Sequence, residues 1–397
     1  MIQILDSTLR EGEQTPGVYF SPETKLKIAQ FLDSIGVDII EAGNPAVNPE
    51  IAASVTQIAR ANLNAKIGAH SLCRIQDVQK ALDCEIDFLG VFFSVSQQRL
   101  ERDYQIELPA AIDKIVGAIS YARSQCPNLL IRYTPEDTVR SSMADAIAAA
   151  TAAVRAGANI ISIADTTGYA TPFQFDRSYA YYVKALKDGL ADRHLYPQIE
   201  VHCHNDRGLA LANALDADRA GVDIIDATVM GIGERSGITD LAELLINLRE
   251  TLKHGSNWQL NYLKDLYRLV SERSYISIPP HRPIVGKNAF THYAGVHVNA
   301  ITKDEKLYQS LDPEIFGIES QFALGMQSGQ VALEMALHQI GRGELIEKKD
   351  VVTDLLQNIK EISKRGTPID IEKELPTIVE RFLMSQMIAS WIDRGEF

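Results

Sequence analysis

Cysteine is sparse in this chain and never appears in the spacings that give it structural work. Cys73, Cys84, Cys126 and Cys203 form no CxxC pair and no zinc-ligand pattern, so a disulfide framework and a cysteine-ligated metal are excluded and free thiols in a reducing compartment are expected. Basic residues are also in deficit. The chain carries 39 Lys+Arg against 52 Asp+Glu, a net charge of −13, and nucleic acids and anionic membranes both select basic surfaces, so neither is expected as the main partner. No apolar run reaches 18 residues and no cleavable leader is evident, which points to a cytoplasmic protein. No GxGxxG follows the first apolar run, which leaves a doubly wound open sheet as the weaker reading of the fold.

What is present is a repeated unit. Eight short apolar, β-branched runs occur at Ile2–Leu9, Val37–Gly43, Ala65–Ser71, Asp87–Ser94, Leu129–Glu136, Asn159–Asp165, Gln198–His204 and Asp223–Val229. Between them lie stretches with apolar residues three and four apart, such as Pro22–Gly36, Ala144–Gly157 and Leu209–Gly221. Ser21-Pro22-Glu23 supplies an N-cap, a proline at N1 and an acidic first turn. Strands followed by helices eight times over predict a (β/α)8 TIM barrel, whose strands are covered on both faces and therefore read as nearly continuous apolar runs. The expected division is a catalytic barrel over 1–275, a linker and lid subdomain over 276–325 opened by Pro279-Pro280, and a helical C-terminal subdomain over 326–397.

In such barrels the site gathers at the carboxyl ends of the strands. The polar residues there are Arg10, Glu11 and Gln14; Glu41; His70; Ser94 and Ser96; Arg132, Thr134 and Glu136; Asp165 and Thr166; and His202, His204 and Asn205. The segment HCHND, His202–Asp206, is the sharpest of these. Residues two apart on a strand share a face, so His202 and His204 can offer two imidazole nitrogens to one divalent cation. Glu11 is the natural third ligand, because strand one lies two places from strand seven around a closed ring. His194, His254, His281 and His338 lie away from strand ends and read as surface or packing residues.

The segments DSTLREGEQ, IIEAGNP, RYTPEDTVRS, IADTTG, HCHND, GIGERSGIT and FTHYAGVH…LDPEIFG together resemble the homocitrate synthase and isopropylmalate synthase family of acetyl-CoA-dependent Claisen condensing enzymes. The resemblance implies that Glu11, His202 and His204 hold a divalent cation (Mg2+, Mn2+, Zn2+ or Co2+), that Arg10 meets developing oxyanion charge, and that Arg10, Gln14, His70, Arg132, Thr134 and Thr166 receive the 2-oxo acid. It further implies that His297 and Tyr308 reach a partner subunit's barrel in a homodimer with exchanged C-terminal regions. There, with Glu136 nearby, a base removes a proton from the acetyl methyl group. Arg132 and the Ile238 position of GIGERSGIT resemble the homocitrate synthase branch, which takes 2-oxoglutarate. EAGNPAVNPE and GVFFSVS depart from that branch, and the aromatic bulk of the second suits a benzylmalate synthase-like enzyme using phenylpyruvate or another bulky apolar 2-oxo acid. The remaining readings are an isopropylmalate or citramalate synthase without the regulatory domain, an acyl-CoA lyase of the same superfamily, and a non-catalytic binding protein.

Overall fold

A computed structural model describes residues 2–254 and 257–394. Eight parallel strands close into a barrel in sequence order: β1 Gln3–Asp6, β2 Ile39–Glu41, β3 Lys66–Leu72, β4 Phe88–Phe92, β5 Leu130–Thr134, β6 Ile160–Asp165, β7 Gln198–Cys203 and β8 Ile224–Ala227. The ring closes where Leu5 of β1 stands beside Ile39 of β2 on one side and Asp226 of β8 on the other. Seven of the strands fall inside their expected runs, and β3 runs one residue past its own, to Leu72. The helix Pro22–Ile35 shows why: the Ser21 hydroxyl accepts from the Thr24 amide, Pro22 occupies the first turn, and Gly36 ends the helix at φ 95°, a left-handed conformation that glycine adopts without a Cβ clash.

Alternation along the strands stacks the barrel interior in layers. Leu5, Ile39, Phe88, Ile160 and Ile224 pack together as a buried apolar floor, with Leu130 against it. Two residues further along the strands the interior turns charged, with Glu41, Arg132, Glu200 and Asp226 all buried. Gly90 makes room for this layer. It stands between His70 and Arg132 in register across β3, β4 and β5, and a Cβ there would lie 2.6 Å from Arg132 Nη2 and 2.9 Å from Glu41 Oε1.

The chain divides into two compact units, Met1–Ile278 and Pro279–Phe397. In the second, Val298 and Leu324 share one buried cluster with Leu333, Leu337, Leu355, Ile359 and Val379, so the segments expected as 276–325 and 326–397 draw on a common core. Among the described residues no helix is long and apolar enough to cross a membrane.

Candidate active site

A cavity of about 400 Å³ opens in the first unit and is lined by Arg10, Glu11, Gln14, His70, Arg132, Thr134, Glu136, Thr166, His202 and His204, together with Phe92, Arg99, Ser162, Ala164 and Glu200. Every barrel residue assigned from sequence to metal, substrate or chemistry is thus on one wall or another of it. His297 and Tyr308 belong to the second unit, where their rings stack 4.0 Å apart. Of the other strand-end polar residues, Ser94 is spent on the Glu136 carbonyl (2.7 Å), Asp165 on the amides of Tyr169 and Ala170, and Asn205 on the Ala210 amide. These three hold loops rather than face the cavity.

Glu11, His202 and His204 each bring one ligand atom, all within 4.8 Å of one another. The surroundings fix which nitrogen each ring offers. His202 Nδ1 lies 2.6 Å from Asp226 Oδ2 and His204 Nδ1 lies 3.1 Å from the Gly237 carbonyl, so both Nδ1–H groups donate and both Nε2 lone pairs are free. Those two Nε2 atoms are 3.2 Å apart. Two lone pairs aimed together at that distance repel unless a cation lies between them, and the donor set of two imidazoles and a carboxylate suits a divalent ion. Burial pushes His204 down to about 4 and lowers His202 as well. Both rings are therefore neutral, as ligands must be. Burial opposes ionisation of Glu11, but the Arg10 guanidinium and the hydrogen bond from the Glu234 amide hold the carboxyl below its ordinary range.

Beneath this triad runs an alternating chain of buried charges. Arg10 pairs with Glu11 and, through Nε at 2.6 Å, with Glu41. Glu41 Oε1 in turn accepts from Arg132 Nη2 at 2.7 Å, and Arg132 Nη1 donates to Glu200 Oε1 at 3.0 Å. Burial pushes Glu41 up, yet Arg10, Arg132 and His70 together hold it well below the usual carboxylate range. His70 sits over this chain with its ring stacked 4.5 Å from Phe92, and burial drives it down to about 4. Arg132 is clasped through Nη1 and Nη2 by two carboxylates and lies over the Phe88 ring, 5.3 Å from its centroid. Glu136, at the rim, is held by Arg99 and by the Tyr104 hydroxyl at 3.5 Å.

Sequence reasoning missed Ser162, Glu200, Asp226 and Arg99. The first three sit in strand interiors, and the period of two along β7 is the signal that finds Glu200, which precedes His202 on the same inward face; Ser162 stands level with Glu200 and Asp226 level with Leu5 only once the ring is formed. Arg99 lies in the loop after β4 and had no such signal.

A closed barrel carrying one acid and two neutral histidines at the carboxyl ends of its strands, beside a polar cavity, defines a metal-site (β/α)8 enzyme. Residues 1–270 match the HMGL-like family and residues 284–367 match the homocitrate synthase post-HMGL domain-like family. The homocitrate synthase of Pyrococcus abyssi is 41% identical over 90% of this chain and 94% of its own length. The probable 2-isopropylmalate synthase of Ignicoccus hospitalis is 36% identical over 96% and 92%, and the homocitrate synthase AksA of Methanocaldococcus jannaschii 37% over 96% and 91%. The chain belongs to the homocitrate synthase and 2-isopropylmalate synthase family, acyltransferases that condense acetyl-CoA with a 2-oxo acid. Among solved structures, the HMG-CoA lyase from Brucella melitensis shares the fold at a TM-score of 0.57 and 20% identity, over 69% of this chain and 99% of that one.

Proposed function

We propose that this chain is a homocitrate synthase, joining acetyl-CoA to 2-oxoglutarate and releasing CoA. The observation that carries the reading is the make-up of one cavity wall, where the Arg132 guanidinium stands with the hydroxyl-bearing Thr134 and Ser162. The distal carboxylate of 2-oxoglutarate supplies acceptors for a guanidinium and for two hydroxyls. An apolar end supplies none.

Glu11, His202 and His204 would hold the divalent cation, whose chemistry when bound is Lewis-acid polarisation of the 2-oxo acid. Arg10 neutralises charge growing on the keto oxygen, Gln14 orients the acid, and Thr166 contacts its carboxylate end. His297 with Tyr308, supplied from a partner subunit, takes a proton from the acetyl methyl group near Glu136. The resulting enolate carbon attacks the 2-oxo carbon, and water then cleaves the thioester to give the tricarboxylate and free CoA thiol. A cytoplasmic homodimer with exchanged C-terminal regions suits this division of labour. It is supported by the last helix, Leu375–Asp393, which exposes Met384, Met387, Ile388, Trp391 and Ile392 at helical spacing on one stripe.

A second reading, a benzylmalate synthase-like enzyme using phenylpyruvate, is favoured by the Phe92 ring on the cavity wall and by the engagement of Arg132 with Glu41 and Glu200. Thiol release from acetyl-CoA with a panel of 2-oxo acids decides between them. A kcat/KM for phenylpyruvate exceeding that for 2-oxoglutarate tenfold would overturn the homocitrate assignment and leave the condensation chemistry standing.

A further inference from the structure

Five ionisable groups alternate in one chain, Glu11, Arg10, Glu41, Arg132 and Glu200, with side-chain exposures of 2%, 9%, 0%, 2% and 0%. Three carboxylates face two guanidiniums. Glu41 is shared by both arginines and Glu11 faces the metal site, but Glu200 closes the chain with Arg132 as its one cationic partner and with Oε2 buried and unpartnered. Glu200 lines the cavity with Arg132, Thr134 and Ser162, and Ser162 stands level with it across β6 and β7. A distal carboxylate that engages Arg132 from the cavity therefore meets a second carboxyl group already holding the same guanidinium. Like charges held close and out of water disfavour each other, whereas a neutral distal end meets no such opposition.

We propose that Glu200 is a specificity-determining residue: its carboxylate stands at the far end of the 2-oxo acid site and sets how strongly a dicarboxylate is accepted relative to a 2-oxo acid of the same shape with a neutral end. This rests on the reading of the cavity as the 2-oxo acid site. Its part is electrostatic and directed at the substrate, distinct from holding Arg132 in place. Glu200→Gln separates the two, because the amide oxygen still accepts from Arg132 Nη1 while the negative charge is gone.

The test compares 2-oxoglutarate with 5-methyl-2-oxohexanoate, in which two methyl groups replace the two distal oxygens. Affinities are measured by calorimetry on the full chain with Mn2+ present, and kcat/KM by thiol release from acetyl-CoA. Glu200→Gln should raise the ratio of 2-oxoglutarate to the neutral acid at least tenfold in either measurement, and Glu200→Asp, which keeps the charge, should leave it within threefold of wild type. If both acids weaken together in Glu200→Gln, or if Asp moves the ratio as far as Gln, Glu200 merely supports Arg132 and the proposal is wrong. Absence of thiol release with either acid would defeat the proposed function instead, while the binding ratio would still answer for Glu200.

Discussion

Asp226→Asn tests the metal site without touching a ligand. Asp226 Oδ2 accepts the His202 Nδ1–H at 2.6 Å while Oδ1 accepts the Ser7 hydroxyl at 2.6 Å, so the carboxylate both fixes the tautomer that bares His202 Nε2 and makes that nitrogen a better donor to a cation. Asparagine fits the same space and its carbonyl can still accept one of the two bonds, but the charge assistance is lost. Replacing the group behind a metal-bound histidine costs about 10- to 100-fold in metal affinity, which is ~1.4–2.8 kcal/mol. The amide gives up one of the two accepted bonds, so the change in affinity is read together with the thermal stability of the variant. Chelator-stripped wild type and variant are titrated with Mn2+ by calorimetry, with thermal melts run alongside. A variant that melts like wild type and binds Mn2+ within threefold of it would refute the tautomer argument and with it the pairing of the two bare Nε2 atoms.

Glu11→Gln, His202→Ala or His204→Ala should each abolish thiol release while far-UV circular dichroism stays that of a folded barrel, and chelator-treated wild type should be inactive until a divalent ion is restored. His70 is held neutral, with its value lowered to about 4. Its contribution to stability is therefore present above the unfolded value of about 6.5 and is lost as pH falls towards 4, up to about 3 kcal/mol. Urea unfolding at pH 7 and pH 4.5 should show a smaller acid-side loss in His70→Asn than in wild type, and equal losses would contradict the assignment. Gly90→Ala drives a methyl into Arg132 Nη2 and Glu41 Oε1 and should cost about 1–3 kcal/mol in stability, with a fall in kcat/KM; a fully active, equally stable variant would show the charged layer to be loosely held. Inactive His202→Ala and inactive His297→Ala proteins should recover activity on mixing if His297 serves a partner's barrel, and a mixture that stays inactive argues for a site within one chain.

The eight strands were legible because a strand covered on both faces must be apolar almost throughout, and because Pro22 and Gly36 mark helix ends by backbone geometry alone. His202 and His204 were legible for a local reason as well: two residues of one type, two apart, on one strand face. The partners of Arg132 were not. Sequence shows an arginine near a strand end, but whether its charge faces a ligand or is already balanced depends on Glu41 and Glu200, 91 and 68 residues away, brought alongside only by closure of the ring.

That difference bears on how the barrel divides its work. The layer holding Glu41, Arg132, Glu200 and Asp226 lies directly over the apolar floor, where an isolated charge would be expensive, and each group there is kept by an opposite or hydrogen-bonding neighbour. The same neighbours orient the residues of the next layer: Asp226 accepts from His202 Nδ1, and Arg10 is shared between Glu11 and Glu41. Glu200 and His202 share one face of β7 two residues apart, so they act on each other directly as well as through the chain of Arg132, Glu41 and Arg10.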